Sequence, residues 1–172
     1  MSLRAVAWAT VEEMDEALLD ACNSTVGKND TLYHLGDFGM ADPARYRARI
    51  ICKDVRLIWG NHDTLPDGGL AGLFHYYWDV HEVKIADTPC WLAHYAHFVW
   101  PKSHYGSLHL YGHSHGQREA TLDTLMPERR SMDVGVDNVM RLVGSPRPLS
   151  EVEIAERLLS RQGHDPVEFY RE

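Results

Sequence analysis

Four places in this 172-residue chain set a metal-binding side chain at a strand end. They are Gly36-Asp37, Gly60-Asn61-His62, His94 after Trp91-Leu92-Ala93, and Gly112-His113-Ser114-His115. Together they offer imidazole nitrogens, a carboxylate and an amide oxygen, a donor set that suits borderline-to-hard divalent ions: Mn, Fe, Co, Ni or Zn. His113 and His115 are two apart, so in an extended segment both rings point the same way. Asp37 has two oxygens and is able to bridge two ions. Paired ions roughly 3.5–4 Å apart suit in-line displacement at phosphorus, since they activate a water and neutralise the phosphoryl oxygens. Taken singly each motif is ordinary: Gly-Asp pairs are mostly turns or caps, and two nearby histidines mean little in a chain with 11. The order and the repeated strand-end placement carry the reading.

Positioning such scattered groups requires a sheet whose strands all end on one edge. Glycine lets the chain turn sharply as it leaves a strand, and ligands of open α/β sheets bind at that carboxyl edge. The pattern supplies the elements. Thr10 with Glu13 reads as a capping box before a helix carrying Val11, Met14, Leu18 and Ala21 on one face, up to about Asn23. Asp42-Pro43 starts a second helix, to about Ile51, and Ser150 with Glu153 starts the last. Strands are expected over Thr31–Leu35, Val55–Trp59, Val80–Ile85, Cys90–Ala93, Leu108–Tyr111 and Met132–Val136, with a hairpin turn at Asp87-Thr88 and a loop around 66–72. Helices and strands interleave early and strands cluster later. The expected fold is α/β, a layered, sandwich-like mixed β-sheet flanked by helices in one domain over 1–172.

Composition narrows the class. Hydrophobic residues make up 44% and charged residues 24%, which excludes disordered, collagen-like and coiled-coil chains. The net charge of −8 disfavours non-specific nucleic-acid binding. Cys22, Cys52 and Cys90 are too scattered for a disulfide framework and fit a reducing, cytoplasmic setting. The apolar run Ala5 to Ala9 is too short for a membrane span.

In order and spacing, Gly36-Asp37, Gly60-Asn61-His62-Asp63, the isolated His94 and Gly112-His113-Ser114-His115 resemble the calcineurin-like metallophosphoesterases. The similarity is closer to the small bacterial and phage members, through Val11-Glu12-Glu13-Met14, Tyr33-His34-Leu35-Gly36-Asp37-Phe38, His94-Tyr95, Val134-Gly135-Val136-Asp137 and Pro148-Leu149-Ser150. The resemblance implies that Asp37 bridges two metals, that Asn61, His94 and His113 hold one of them, and that His115 holds the other. It implies that His62 protonates or stabilises the leaving oxygen, with Asp63 orienting it. General acids of this kind are worth ~10²–10⁴ in rate.

One departure matters. The family carries an Asp-x-His at the end of its first strand, and nothing before Gly36 fits it, so that first strand is read as missing. Asp79-Val80-His81 has the right residues but lies after the third motif and is read as coincidence. One metal site is therefore complete in protein ligands, and the second keeps only Asp37 and His115. The expectation is a metal-dependent phosphoesterase, a hydrolase or phosphatase using metal-activated water on a phosphorylated small molecule or nucleotide, with hydrolysis impaired. The alternative is a catalytically weak homologue that keeps one metal and acts by binding. A histidine-rich structural zinc module ranks last, since it explains neither Asn61 nor the glycines. A missing strand also leaves an unpaired sheet edge, a template for a homodimer or a rearranged N-terminal segment. His34 and His109 are expected to be satisfied core residues, Phe74 to Trp78 a buried cluster beneath a loop, and Arg129-Arg130 a solvated pair.

Overall fold

The structure, a computed structural model, describes residues 8–39, 42–63 and 73–161. Two sheets form. In the first, β1 (Thr31–His34), β2 (Asp54–Ile58) and β3 (Tyr76–Trp78) run parallel in that order. In the second, β4 (Val80–Ile85) pairs antiparallel with β5 (Thr88–Ala93), and β6 (Leu108–Tyr111) and β7 (Ser131–Asp133) follow in parallel. The α/β layered class is as expected. Among the described residues β1 forms the outer edge of the first sheet. The loop expected over 66–72 and most of the N-terminal segment lie outside the described residues.

Strand alternation divides the core in two. Leu32, Val55 and Leu57 face one side of the first sheet and join Val26, Phe38, Cys52 and Phe74 in a buried cluster. Helix α1 (Val11–Thr25) and helix α2 (Pro43–Arg47) cover that side through Cys22 and Tyr46. Ile58 points the other way, into a cluster with Leu92, Leu108, Leu110 and Met132 of the second sheet. So the sheets pack face to face, and successive side chains on a strand serve different cores. The last helix, α5 (Glu151–Leu159), seals the second sheet with Ile154 and Leu158.

Both expected caps form, with one change. Ser150 and Glu153 make the full reciprocal box. At α1 the Thr10 hydroxyl accepts the Glu13 N–H at 3.1 Å, but the Glu13 carboxylate reaches Ala9 N–H at 3.0 Å, one residue before the cap. α2 ends at Arg47, earlier than expected.

One strand and two α-helices escaped the sequence reading, as did the 3-10 turn Ser103–Tyr105. Tyr76–Trp78 is a strand, not a buried aromatic cluster: Phe74 is buried, but Tyr76 and Tyr77 are half exposed, on a strand that holds the far side of β2. Helices α3 (Glu119–Leu125) and α4 (Val136–Val143) flank β7, and the strand expected up to Val136 stops at Asp133. Arg129 is not solvated. It is buried among Glu119, Asp123, Tyr111 and Ser131, with nitrogen–oxygen distances of 2.8–3.1 Å, and ties α3 to β6 and β7. His109 is the satisfied core residue expected. Its Nδ1–H donates to Trp91 O at 2.9 Å and its Nε2 accepts from His97 N–H at 3.0 Å. His34 departs from that expectation, since its buried Nδ1 has no hydrogen-bond partner.

Candidate metal centre

The strand-end motifs converge. Asp37, His94 and His113 each bring a ligand atom to within 4.8 Å of the others. Asn61 joins them, its Oδ1 lying 3.0 Å from His94 Nε2. Asp37 and Asn61 arrive from loops after β1 and β2 of the first sheet; His94 and His113 follow β5 and β6 of the second. The centre straddles the seam between the sheets.

His94 is the pivot and is almost fully buried, at 3% exposed. Its Nδ1 lies 2.7 Å from the Leu35 carbonyl. A carbonyl only accepts, so Nδ1 carries the proton, and Nε2 is the nitrogen whose lone pair is able to ligate. That nitrogen meets Asn61 Oδ1 at 3.0 Å, His113 Nδ1 at 3.1 Å and Asp37 Oδ2 at 3.5 Å. Asn61 Oδ1 and Asp37 Oδ2 only accept, so a positive charge, on a ring or as a bound cation, draws this set of atoms together. Burial, and then the neighbouring His94 ring, holds His113 below the usual imidazole range, in the form a metal needs. The donor chemistry fits a divalent cation, and the carbonyl behind His94 is the orienting partner that ligating histidines have.

Backbone geometry explains the glycines. Gly36 sits at φ +101°, and a Cβ there would strike the His94 ring and approach Gly60 Cα to 2.8 Å. A Cβ on Gly60 would land on the Asp37 carboxylate. The residues therefore do more than turn the chain: they let three segments touch. Asp37 itself adopts φ +60°, a left-handed conformation that costs of order 1–3 kcal/mol and persists only where its surroundings impose it.

Asp63 imposes it. Its carboxylate accepts from the backbone N–H groups of Asp37 at 2.8 Å, Phe38 at 2.6 Å and Gly60 at 2.8 Å. The resemblance assigns Asp63 to orienting His62; the contacts instead make it the clamp between two ligand-bearing loops. His62 is exposed, its backbone N–H donates to Asp37 Oδ1 at 2.9 Å, and its ring is near enough to lower the His113 imidazole pKa electrostatically.

His115 is not part of the three-residue cluster. It adopts φ +51°, and its Nδ1 lies 2.7 Å from the carboxylate of Asp137, which is fully buried. Asp133, also fully buried, accepts from Ser114 Oγ and the N–H groups of Gly116 and Gly135 at 2.7–2.8 Å, and so shapes the loop carrying both histidines. Burial raises its carboxyl above the usual range, and those donors oppose the rise. Asp133 was missed from sequence. Its signal was Asp133-x-Gly135-x-Asp137, the same strand–glycine–polar pattern as at the other strand ends.

Asp79 was set aside as coincidence, but it lines a cleft of about 330 Å³ beside the centre, with Trp59, Asn61, His94, Tyr95 and His97. His81 is elsewhere, stacked on Trp78 with ring centroids 3.9 Å apart. Among the described residues, no helix is long and apolar enough to cross a membrane.

No protein-family model matches the chain, and no curated protein matches it. Among solved structures, the chain is similar to the protein of unknown function AQ665 from Aquifex aeolicus. The identity is 20% and the TM-score 0.66, over 86% of this chain and 87% of that one. The likeness supports the α/β architecture and is silent on chemistry.

Proposed function

We propose that the chain is a metal-dependent phosphoesterase of the calcineurin-like type, with one well-formed cation site. The observation that carries this reading is the His94 lone pair. It is held by the Leu35 carbonyl in the ligating tautomer and aimed at Asn61, His113 and Asp37. When bound there, a divalent cation supplies positive charge to a phosphoryl oxygen and acidifies water. His62, exposed nearby, protonates the departing ester oxygen. A water oxygen bonds to phosphorus, the ester P–O bond breaks, and the proton given up by water restores His62. The net reaction adds water across the ester. Asp37, Asn61, His94 and His113 bind the cation, and Asp63 keeps the two loops in register.

The test joins elemental analysis with hydrolysis of bis-p-nitrophenyl phosphate and p-nitrophenyl phosphate in added Mn²⁺. One ion per chain is expected, with turnover that His62→Ala abolishes while metal content is kept. Turnover unaffected by His62→Ala overturns the assignment. A second reading is favoured by the separate position of His115: among the described residues Asp37 and His115 are the groups the resemblance offers a second ion, and His115 stands outside the cluster, which suits a single-metal binding protein. One tightly held ion without turnover under any divalent metal would select it.

A further inference from the structure

The two histidines of the cation site are held differently. His94 is buried, with the Leu35 carbonyl behind its Nδ1. His113 is exposed with its Nδ1 facing the site, and among the described residues nothing hydrogen-bonds its Nε2. A ligating histidine normally has such a partner to fix its ring. What touches the His113 ring instead is Tyr95. The Tyr95 ring centroid lies 4.6 Å from that of His113, at 56°, and 5.0 Å from that of His94, at 78°. The two imidazoles are themselves 5.0 Å apart. The three rings close a triangle, each side within the range of favourable aromatic contact. Backbone bonds secure its corners. The His94 carbonyl, on the peptide that leads into Tyr95, accepts from the N–H groups of Gly112 at 3.1 Å and His113 at 3.0 Å. The segments after β5 and β6 are thus joined where the triangle stands. Tyr95 is 48% exposed and belongs to neither buried cluster, so core packing does not account for it.

We propose that Tyr95 is a positioning residue for the cation site, its ring bracing the exposed His113 imidazole against the buried His94. This rests on the cation-site part of the phosphoesterase reading and not on its hydrolytic step. The ring carries the effect, since among the described residues the Tyr95 hydroxyl has no hydrogen-bond partner. A ligand held in place before the ion arrives loses no rotamer freedom on binding it, and that difference appears as affinity. Without the ring, His113 must be ordered by the ion itself. His94 keeps its carbonyl partner in either case, so the loss falls on one ligand and leaves the rest of the donor set in place.

Co²⁺ titration of the full chain, by calorimetry and by the visible absorption of the bound ion, tests this alongside hydrolysis of p-nitrophenyl phosphate in Mn²⁺. The visible bands report the number and angles of the ligands. Tyr95→Leu should weaken Co²⁺ at least about tenfold, the lower end of what losing the orienting partner of a ligating histidine costs, and should shift the bands. Tyr95→Gln, which also lacks a ring and suits the exposed position, should do the same. Tyr95→Phe keeps the ring and should restore both affinity and bands. Wild-type Co²⁺ affinity and bands in Tyr95→Leu and Tyr95→Gln overturn the proposal, as does a Tyr95→Phe variant no better than Tyr95→Leu. Weakened Co²⁺ in the ringless variants, with no ester turnover by the wild type, supports the brace and overturns the hydrolase reading. Turnover with Co²⁺ binding indifferent to Tyr95 does the reverse, and a wild-type chain that binds no Co²⁺ overturns both.

Discussion

Replacing Asp63 by alanine separates two accounts of that residue. If its carboxylate serves the His62 ring, the substitution slows turnover and leaves stability and metal affinity alone. If it clamps the loops, three backbone N–H groups, those of Asp37, Phe38 and Gly60, lose their acceptor together. Hydrogen bonds to a charged acceptor contribute about 1.5–3 kcal/mol each. The site is only part-buried, so water recovers some of this, and about 3–5 kcal/mol is the expected loss. With a urea slope of about 2 kcal/mol/M for a domain of this size, the midpoint should fall by about 1.5–2.5 M. Relief of the Asp37 left-handed backbone should also scatter the ligands, lowering Mn²⁺ affinity at least about tenfold by calorimetry. A variant with wild-type urea midpoint and wild-type Mn²⁺ affinity but slow turnover would refute the clamp.

Gly60→Ala places a methyl on the Asp37 carboxylate, and should lower Mn²⁺ affinity at least about tenfold while far-ultraviolet dichroism stays native. His109 is held by burial at about 4, below its unfolded value, so the unfolded chain takes up the proton first as pH drops. Its contribution is full above pH 6.5 and is lost as pH falls toward 4. It amounts to about 3 kcal/mol, and a urea series at pH 4 to 7 should show a steep decline that His109→Gln flattens. Arg129→Ala should cost about 3–5 kcal/mol, because it strands Glu119 without its buried partner; thermal melts check this.

The legible parts were those with a local signature. Asp37, Asn61, His94 and His113 each follow a strand, three with an adjoining glycine, and the strand ends of the two sheets, meeting at the seam, gather them. The long capped helices α1 and α5 announce themselves by apolar spacing. What stayed hidden depended on distant neighbours. Tyr76–Trp78 is only three residues, and it is a strand because β2 pairs with it. α3 and α4 are seven and eight residues long, too short for an apolar period to stand out. Arg129 looks like any surface arginine until Glu119 and Asp123 fold over it. Asp63 reads as part of a catalytic motif, and its work on three backbone groups appears only once the Gly36 and Gly60 turns touch.

The bond from His94 to Leu35 spans the seam between the two sheets, and the four donor atoms are split evenly across it. A cation bound there would rivet one half of the molecule to the other. Sliding either layer by an ångström would dismantle the donor set. Grip on the ion and grip between the layers thus become one property, and selection acting on either must move both.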